Sequence, residues 1–271
     1  MTARYAVLGN PLSHTKSPFI HNAFARQFHD DLTYDAIETG LDGFADAVHA
    51  FREAGGLGVN VTVPFKVEAF ELADTARDAA AICGASNCLK FVGDEIVAEN
   101  FDGVGLVRDI SANLGHDLTG KRIFFAGAGG ATRGAVAPFL AAGAMSVTIA
   151  NRTVAKGRDI VKRLGDRGEI HAIGYDEVTR GYDIVVNSTT TSLTGKKPPL
   201  PMSVFEDAAL AYDLVYGKGL TPFLEDAQAS GVGIADGVGM LVEQAAEAYL
   251  WWRGKRPDTA PVIAEMTIPL T

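Results

Sequence analysis

Two rhythms of apolar residues run through the first hundred positions. The short runs "RYAVLG" (4–9) and "TYDAIE" (33–38) read as strands. The segment "SPFIHNAFARQF" (17–28) places Ser17 at an N-cap position and Pro18 at the first helical one, which predicts a helix start. Phe44, Ala47, Val48 and Phe51 recur at helical spacing, and Gly55-Gly56 stop that helix. In "GVNVTVPFK" (58–66), Val59, Val61 and Val63 alternate with Asn60 and Thr62. That alternation predicts a strand with one buried and one polar face, ended by Pro64, which has no N–H to donate. "CLKFV" and "EIVAE" flank Gly93-Asp94 and predict a hairpin over 88–99.

A second unit starts near residue 118. Residues 122–127 are a continuous apolar strand, the pattern of a strand buried on both faces. A glycine-rich turn, an alanine-rich helix (131–142) and a strand (146–150) follow, with further strands expected at 182–189, 209–216 and 232–236. "GVGMLVEQAAEAYLWWRG" and "TAPVIAEMT" close the chain as helices. Alternating strands and helices predict an α/β fold with mainly parallel sheets. The expected organisation is an N-terminal substrate domain (1–101), a Rossmann-type domain (102–237) and a cleft between them, with the helices of 238–271 packing back on the first.

Composition narrows the function. The 271 residues are 47% hydrophobic and 21% charged, as in a globular protein with a full core. A formal net charge of −9 argues against nucleic-acid or anionic-membrane surfaces, which need clustered Lys and Arg. It leaves room for a small anionic ligand held by local cations. No apolar run reaches the roughly 18 residues of a membrane span. The opening "MTARYAVLGNPLSH" has no signal-peptide core, so a cytoplasmic protein is expected. Cys83 and Cys88 lack the partners of a disulfide framework or a zinc site and read as reduced thiols, so no metal is expected.

The chemistry begins at the second unit. Gly127, Gly129, Gly130 and Ala131 follow a strand and open a helix, the context in which a glycine turn admits a pyrophosphate to free helix N–H groups. An NAD site carries an acid about 20 residues on, for the ribose 2′-OH. Here the second strand runs into Asn151, Arg152, Thr153 and Lys156, with no acid. Arg152 can fork onto a 2′-phosphate and Lys156 adds a second cation, so the expected cofactor is NADP.

A nicotinamide domain needs a group to handle the alcohol or carbonyl proton. Lys66, just past the "VNVTV" strand, and Asp102, at the expected domain junction, are the candidates. Both fall where the C-terminal edge of an open α/β sheet forms its ligand crevice.

With these residues in view, the chain resembles the shikimate dehydrogenases over nearly its whole length. The matching stretches are "YAVLGNPLSHTKSPFIHN", "AGGLGVNVTVPFK", "GASN", "NFDGVGL", "GAGGATRG", "NRT", "YDLVYGKGLTPFL" and "DGVGMLVEQAA". The resemblance implies reversible, NADPH-dependent reduction of 3-dehydroshikimate to shikimate. It implies that Thr15 and Ser17 hold the substrate carboxylate, near Tyr216. It further implies that Thr62, Lys66, Asn87, Asp102 and Gln244 bind the ring hydroxyls, that Lys66 and Asp102 are the catalytic pair, and that Gly239 faces the nicotinamide. Four positions depart from the family pattern, all on the substrate side. Thr15 stands for Ser, Ser86 and Cys88 flank Asn87 in place of Val and Thr, and Phe101 stands for Thr before Asp102. These departures suggest as an alternative a paralogue with altered substrate, such as quinate or an aminoshikimate, or with low activity; a non-catalytic shikimate-binding regulator is a further alternative, against which the retained Lys66 and Asp102 argue. The expected partner is a small-molecule substrate, with the chain a monomer or homodimer.

Overall fold

The computed structural model describes residues 2–270. Its first part runs β1 (Ala3–Gly9), α1 (Ser17–Phe28), β2 (Leu32–Glu38), α2 (Phe44–Glu53), β3 (Gly56–Val61), α3 (Lys66–Leu72) and β4 (Thr75–Ala76). Then come α4 (Asp78–Cys83), β5 (Cys88–Val92), β6 (Glu95–Glu99) and α5 (Asp102–Arg108). The second part runs β7 (Arg122–Ala126), α6 (Gly130–Ala141), β8 (Ser146–Ala150), α7 (Val154–Leu164), β9 (Glu169–Ile173) and β10 (Ile184–Asn187). It ends with β11 (Leu210–Asp213), α8 (Pro222–Ala229), β12 (Gly233–Asp236), α9 (Val238–Arg253) and α10 (Ala260–Met266).

The chain divides into two compact units. One runs through Gly105 and takes in Val242–Val262; the other is Leu106–Leu241 with the chain from Ile263 on. The divide thus falls inside α5, a few residues later than the expected 101/102. The C-terminal stretch is split rather than packed wholly on the first unit. Leu270 explains the split: it packs against the apolar cluster of the second unit that contains Phe223 and Leu224.

In the first unit the sheet order is β2-β1-β3-β5-β6-β4. β1 lies parallel to β2 and β3, and the β5/β6 hairpin adds on antiparallel. Strand β1 shows how the two faces are filled. Ala6 and Leu8 join Phe44, Val48, Phe51, Val59 and Val61 in one cluster. Ala3, Tyr5 and Val7 join Tyr34, Cys88, Ala248 and Trp252 in the other, the period of two that a strand imposes. Because both faces are covered, Asn60 does not lie on a solvent face, as the alternation suggested. It is buried, accepts the Tyr34 hydroxyl at 2.6 Å and donates to the Asn87 carbonyl at 3.3 Å. The strand also stops at Val61, which leaves Val63 past its end and exposed. The C-terminal turn of α9 is fastened to this unit at Asp30, which accepts the Tyr249 hydroxyl and the Lys255 ammonium, each at 2.6 Å.

In the second unit six parallel strands lie in the order β12-β11-β10-β7-β8-β9. Counted from its own first strand this is the 3-2-1-4-5-6 order of the doubly wound dinucleotide folds, with the switch point between β7 and β10. Ile123, Phe124, Phe125 and Ala126 of β7 are fully buried, as its unbroken apolar run predicts. No helix among the described residues is long and apolar enough to cross a membrane.

Candidate active site

On the first unit the polar residues gather past the C-terminal ends of the parallel strands. Lys66 is the first residue of α3 and Asp102 the first of α5. The Lys66 ammonium meets Asp102 Oδ2 at 2.6 Å, with the lysine side chain 23% exposed and the carboxylate 7%. Asn87 donates through Nδ2 to Asp102 Oδ1 at 2.8 Å and to Gln244 Oε1, on α9, at 3.1 Å. The backbone N–H of Phe101 donates to Asn87 Oδ1 at 2.9 Å and so fixes which way the amide faces. Lys66, Asn87, Asp102 and Gln244 therefore form one hydrogen-bonded cluster drawn from four separate stretches of chain. With Asn87 on one carboxylate oxygen, the other is left to the ammonium, a charge-assisted pair with a set direction.

The neighbourhood explains three of the four unusual residues. Ser86 is buried and donates its hydroxyl to the carbonyls of Cys88 and Glu99, both at 2.9 Å, while its N–H holds the Lys66 carbonyl at 2.7 Å. Cys88 is fully buried, and burial pushes its thiol well up, so it is an inert packing residue. The Phe101 ring packs edge-on against Trp251 at 5.7 Å. Thr15 and Ser17, the fourth position and its neighbour, lie half-buried at the start of α1 with their hydroxyls 3.4 Å apart. Thr62 follows β3, half-buried, its N–H on the Leu8 carbonyl at 3.0 Å.

Tyr216 belongs to the second unit, in the loop after β11, where burial raises its phenol. Gly239 also counts with that unit, in the first turn of α9. A Cβ there would run into the Asp109 carboxylate, which would have to shift to admit it. Asp109 is itself buried and accepts the Tyr212 hydroxyl at 2.7 Å.

The dinucleotide features lie on the second unit. Gly127 opens the turn after β7 at φ +109°, and a side chain there would strike Ser188. Gly129 and Gly130 face open space, and among the described residues no side chain caps the first amides of α6, the twelve-residue helix that Ala131 continues. That is an anion cradle of free N–H groups at a positive helix end. Past β8, Asn151 donates to the Thr153 carbonyl at 2.9 Å and shapes the turn into α7. Arg152, Thr153 and Lys156 are exposed there. Among the described residues neither Arg152 nor Lys156 pairs with a carboxylate, and Lys156 sits in the first helical turn, where a cation opposes the helix dipole unless an anion is present. These residues fit a dinucleotide carrying a 2′-phosphate. Sequence reasoning missed the buried layer beneath both sites, namely Asn60 with Tyr34, and Asn187 with Asp213. Its only signal was polar residues inside otherwise apolar strands.

A six-stranded parallel sheet with this glycine turn and basic strand end, joined to a second α/β unit bearing a lysine–carboxylate pair, defines a nicotinamide-dependent dehydrogenase. Family comparisons agree along the chain. The shikimate dehydrogenase substrate binding domain matches residues 7–89, shikimate / quinate 5-dehydrogenase 109–195, and the shikimate 5′-dehydrogenase C-terminal domain 237–267. The shikimate dehydrogenase (NADP(+)) of Nitrosospira multiformis is 50% identical over 97% of this chain and 96% of that one. Among solved structures, an Ael1 enzyme from Pseudomonas putida is 53% identical with a TM-score of 0.95, covering 100% of both chains. The shikimate 5-dehydrogenase of Thermus thermophilus, in complex with NADP(H) and shikimate, is 30% identical with a TM-score of 0.87, covering 97% of this chain and 98% of that one. The chain belongs to the shikimate dehydrogenase family.

Proposed function

We propose that this protein catalyses the reversible reduction of 3-dehydroshikimate to shikimate with NADPH. The observation that carries this reading is the 2.6 Å Lys66–Asp102 pair held in the Asn87–Gln244 cluster. NADPH, when bound, supplies the hydride. Lys66 then gives a proton to the oxygen at the reacting carbon as it becomes a hydroxyl, and takes it back in the reverse direction. Asp102 keeps the ammonium aimed, and Asn87 keeps Asp102 aimed by occupying its other oxygen. Thr62, Asn87 and Gln244 hold ring hydroxyls, and Thr15, Ser17 and Tyr216 hold the carboxylate. A site built from many short polar groups rejects analogues, because each missing hydroxyl leaves a site group unpaired. On the cofactor side the turn at Gly127, Gly129, Gly130 and Ala131 takes the pyrophosphate. Asn151, Arg152, Thr153 and Lys156 take the 2′-phosphate, and Gly239 flanks the nicotinamide. The position of Phe101 supports an unaltered set of polar groups, since its ring is taken up by Trp251 and only its N–H serves Asn87.

The test is a kinetic panel of shikimate, quinate and an aminoshikimate, each with NADP and NAD. Shikimate with NADP should give the highest kcat/KM. Quinate or the aminoshikimate ranking well above shikimate would replace the substrate assignment, and tight shikimate binding without hydride transfer at any pH would replace catalysis by binding alone.

A further inference from the structure

The stretch "YDLVYGKGLTPFL" contains a buried charge that the proposed chemistry does not use. Asp213, the last residue of β11, is fully buried. Its carboxylate is saturated with donors. Oδ2 accepts Ser192 Oγ at 2.6 Å and Thr221 Oγ1 at 2.8 Å, while Oδ1 accepts Asn187 Nδ2 at 3.2 Å and the Val215 N–H at 3.1 Å. These donors come from the end of β10, the turn of residues 191–194, the loop after β11 and the N-cap of α8. One carboxylate thus ties together four segments.

The bonds continue in both directions along the C-terminal edge of the sheet. Asn187, also fully buried, accepts the Thr189 N–H at 3.1 Å and hydroxyl at 2.7 Å. Ser188 donates to the Ala126 carbonyl at 2.7 Å and lies 2.6 Å from the Thr132 hydroxyl, which bonds the Gly127 carbonyl at 2.8 Å. Two sets of bonds, one around Asp213 and Asn187 and one around Ser188 and Thr132, thus lie between the start of α8 and the glycine turn, joined through the backbone of residues 187–189. Open parallel sheets bind dinucleotides along this edge, one mononucleotide half on each side of the switch point. The strands β10, β11 and β12 carry the half that does not receive the 2′-phosphate.

A carboxylate is a costly way to end a buried strand, because removing it from water is penalised unless it is fully bonded. Burial holds the Asp213 carboxyl above its usual range, an effect its hydrogen-bond donors only partly offset. An apolar residue would fill the space without that cost. What the carboxylate adds is a fixed position for loops that have no strand pairing of their own, since a fully satisfied polar network rigidifies what it joins.

We infer that Asp213 is a positioning residue for the cofactor, holding the loops 188–192 and 214–216 where the nicotinamide half of NADP lies. The inference rests on reading this edge as the NADP site. Its test compares two ligands by isothermal titration: NADP+, and 2′,5′-ADP, which lacks the nicotinamide half. Asp213→Asn keeps the shape and removes the charge. It should raise the NADP+ dissociation constant about tenfold, the scale of a lost charged hydrogen bond, with 2′,5′-ADP binding unchanged. If both ligands weaken alike, or neither weakens, the positioning role is wrong. Should Asp213→Asn fail to fold, Ser192→Ala and Thr221→Val, each deleting one donor, decide the matter on the same two ligands. A wild-type protein that binds 2′,5′-ADP no better than 3′,5′-ADP would instead overturn the NADP reading of the edge, and this inference with it.

Discussion

His21 gives the sharpest test of the packing described above. It lies on α1 at 1% exposure, its ring stacked on Tyr34 at 4.1 Å and 5° and flanked by Trp252 at 5.5 Å. Among the described residues, neither ring nitrogen has a hydrogen-bond partner. Burial drives its pKa down to about 3, with the nearby Asn60 side chain opposing. Unfolded, the imidazole titrates near 6.5. Between those values the unfolded chain holds a proton that the folded one does not, so stability is full above about pH 6.5 and falls as the pH drops toward 3. At pH 5 the loss is about 2 kcal/mol, from a slope of about 1.4 kcal/mol per pH unit. His21→Phe keeps the stacked ring and removes the titration. Any overpacking cost of the larger ring enters at every pH and cancels in the difference. The assay is urea unfolding at pH 7.5 and 5.0, followed by the fluorescence of Trp251 and Trp252, the only two tryptophans, which both belong to the first unit. Wild type should lose about 2 kcal/mol more than His21→Phe between the two conditions. Equal losses would mean that His21 is solvated or already paired, and the account of this core would fall.

Three further substitutions probe the site and its frame. Lys66→Ala should lower kcat by about a hundredfold or more while leaving KM for NADPH within about twofold, as for a group acting on the proton in the transition state; a large rise in that KM would place the lysine elsewhere. Arg152→Asp should lower the NADP-to-NAD ratio of kcat/KM on the order of a hundredfold, by losing a charged hydrogen bond and adding repulsion; an unchanged ratio would put the 2′-phosphate on other residues. Gly239→Ala forces a methyl into the Asp109 carboxylate and should cost roughly 1–3 kcal/mol of stability or more, read as a lower melting temperature; a neutral effect would mean the start of α9 can shift freely.

The elements legible in the sequence were those with local signals. Pro18 marked the start of α1, although the N-cap is Lys16 rather than Ser17; Gly93-Asp94 marked the β5/β6 hairpin, and the apolar run of 122–127 the buried β7. β9 escaped because it is a five-residue edge strand, paired on one side only, with exposed Glu169 and His171 between its apolar residues. Asn60 was misread for a different reason. An asparagine in an alternating strand looks solvent-facing unless its partner is known, and that partner, Tyr34, comes from another strand. The same holds for the site. The residue types that suit proton transfer could be picked out, but the 2.6 Å contact between Lys66 and Asp102 closes over 36 positions of chain, and no local pattern encodes such a distance.

The substrate-side departures then take on a physical sense that sequence alone did not supply. Ser86, Cys88 and Phe101 surround Asn87, and each could have changed what the site offers a ligand. Ser86 instead spends its hydroxyl on two backbone carbonyls, and Cys88 is packed against Tyr5, Tyr34 and Trp252. Phe101 leans on Trp251, a ring also faced by Arg77 at 5.9 Å and Lys90 at 5.7 Å. These residues replace the material under Asn87 while its three side-chain bonds, to Phe101, Asp102 and Gln244, remain in place. On the proposed reading, the polar surface offered to substrate is set by Asn87 and its partners, and the support beneath it is free to vary so long as that amide keeps its orientation. Variation of this kind alters rigidity before it alters recognition, because hydrogen-bond geometry is lost only when the framework holding the amide moves.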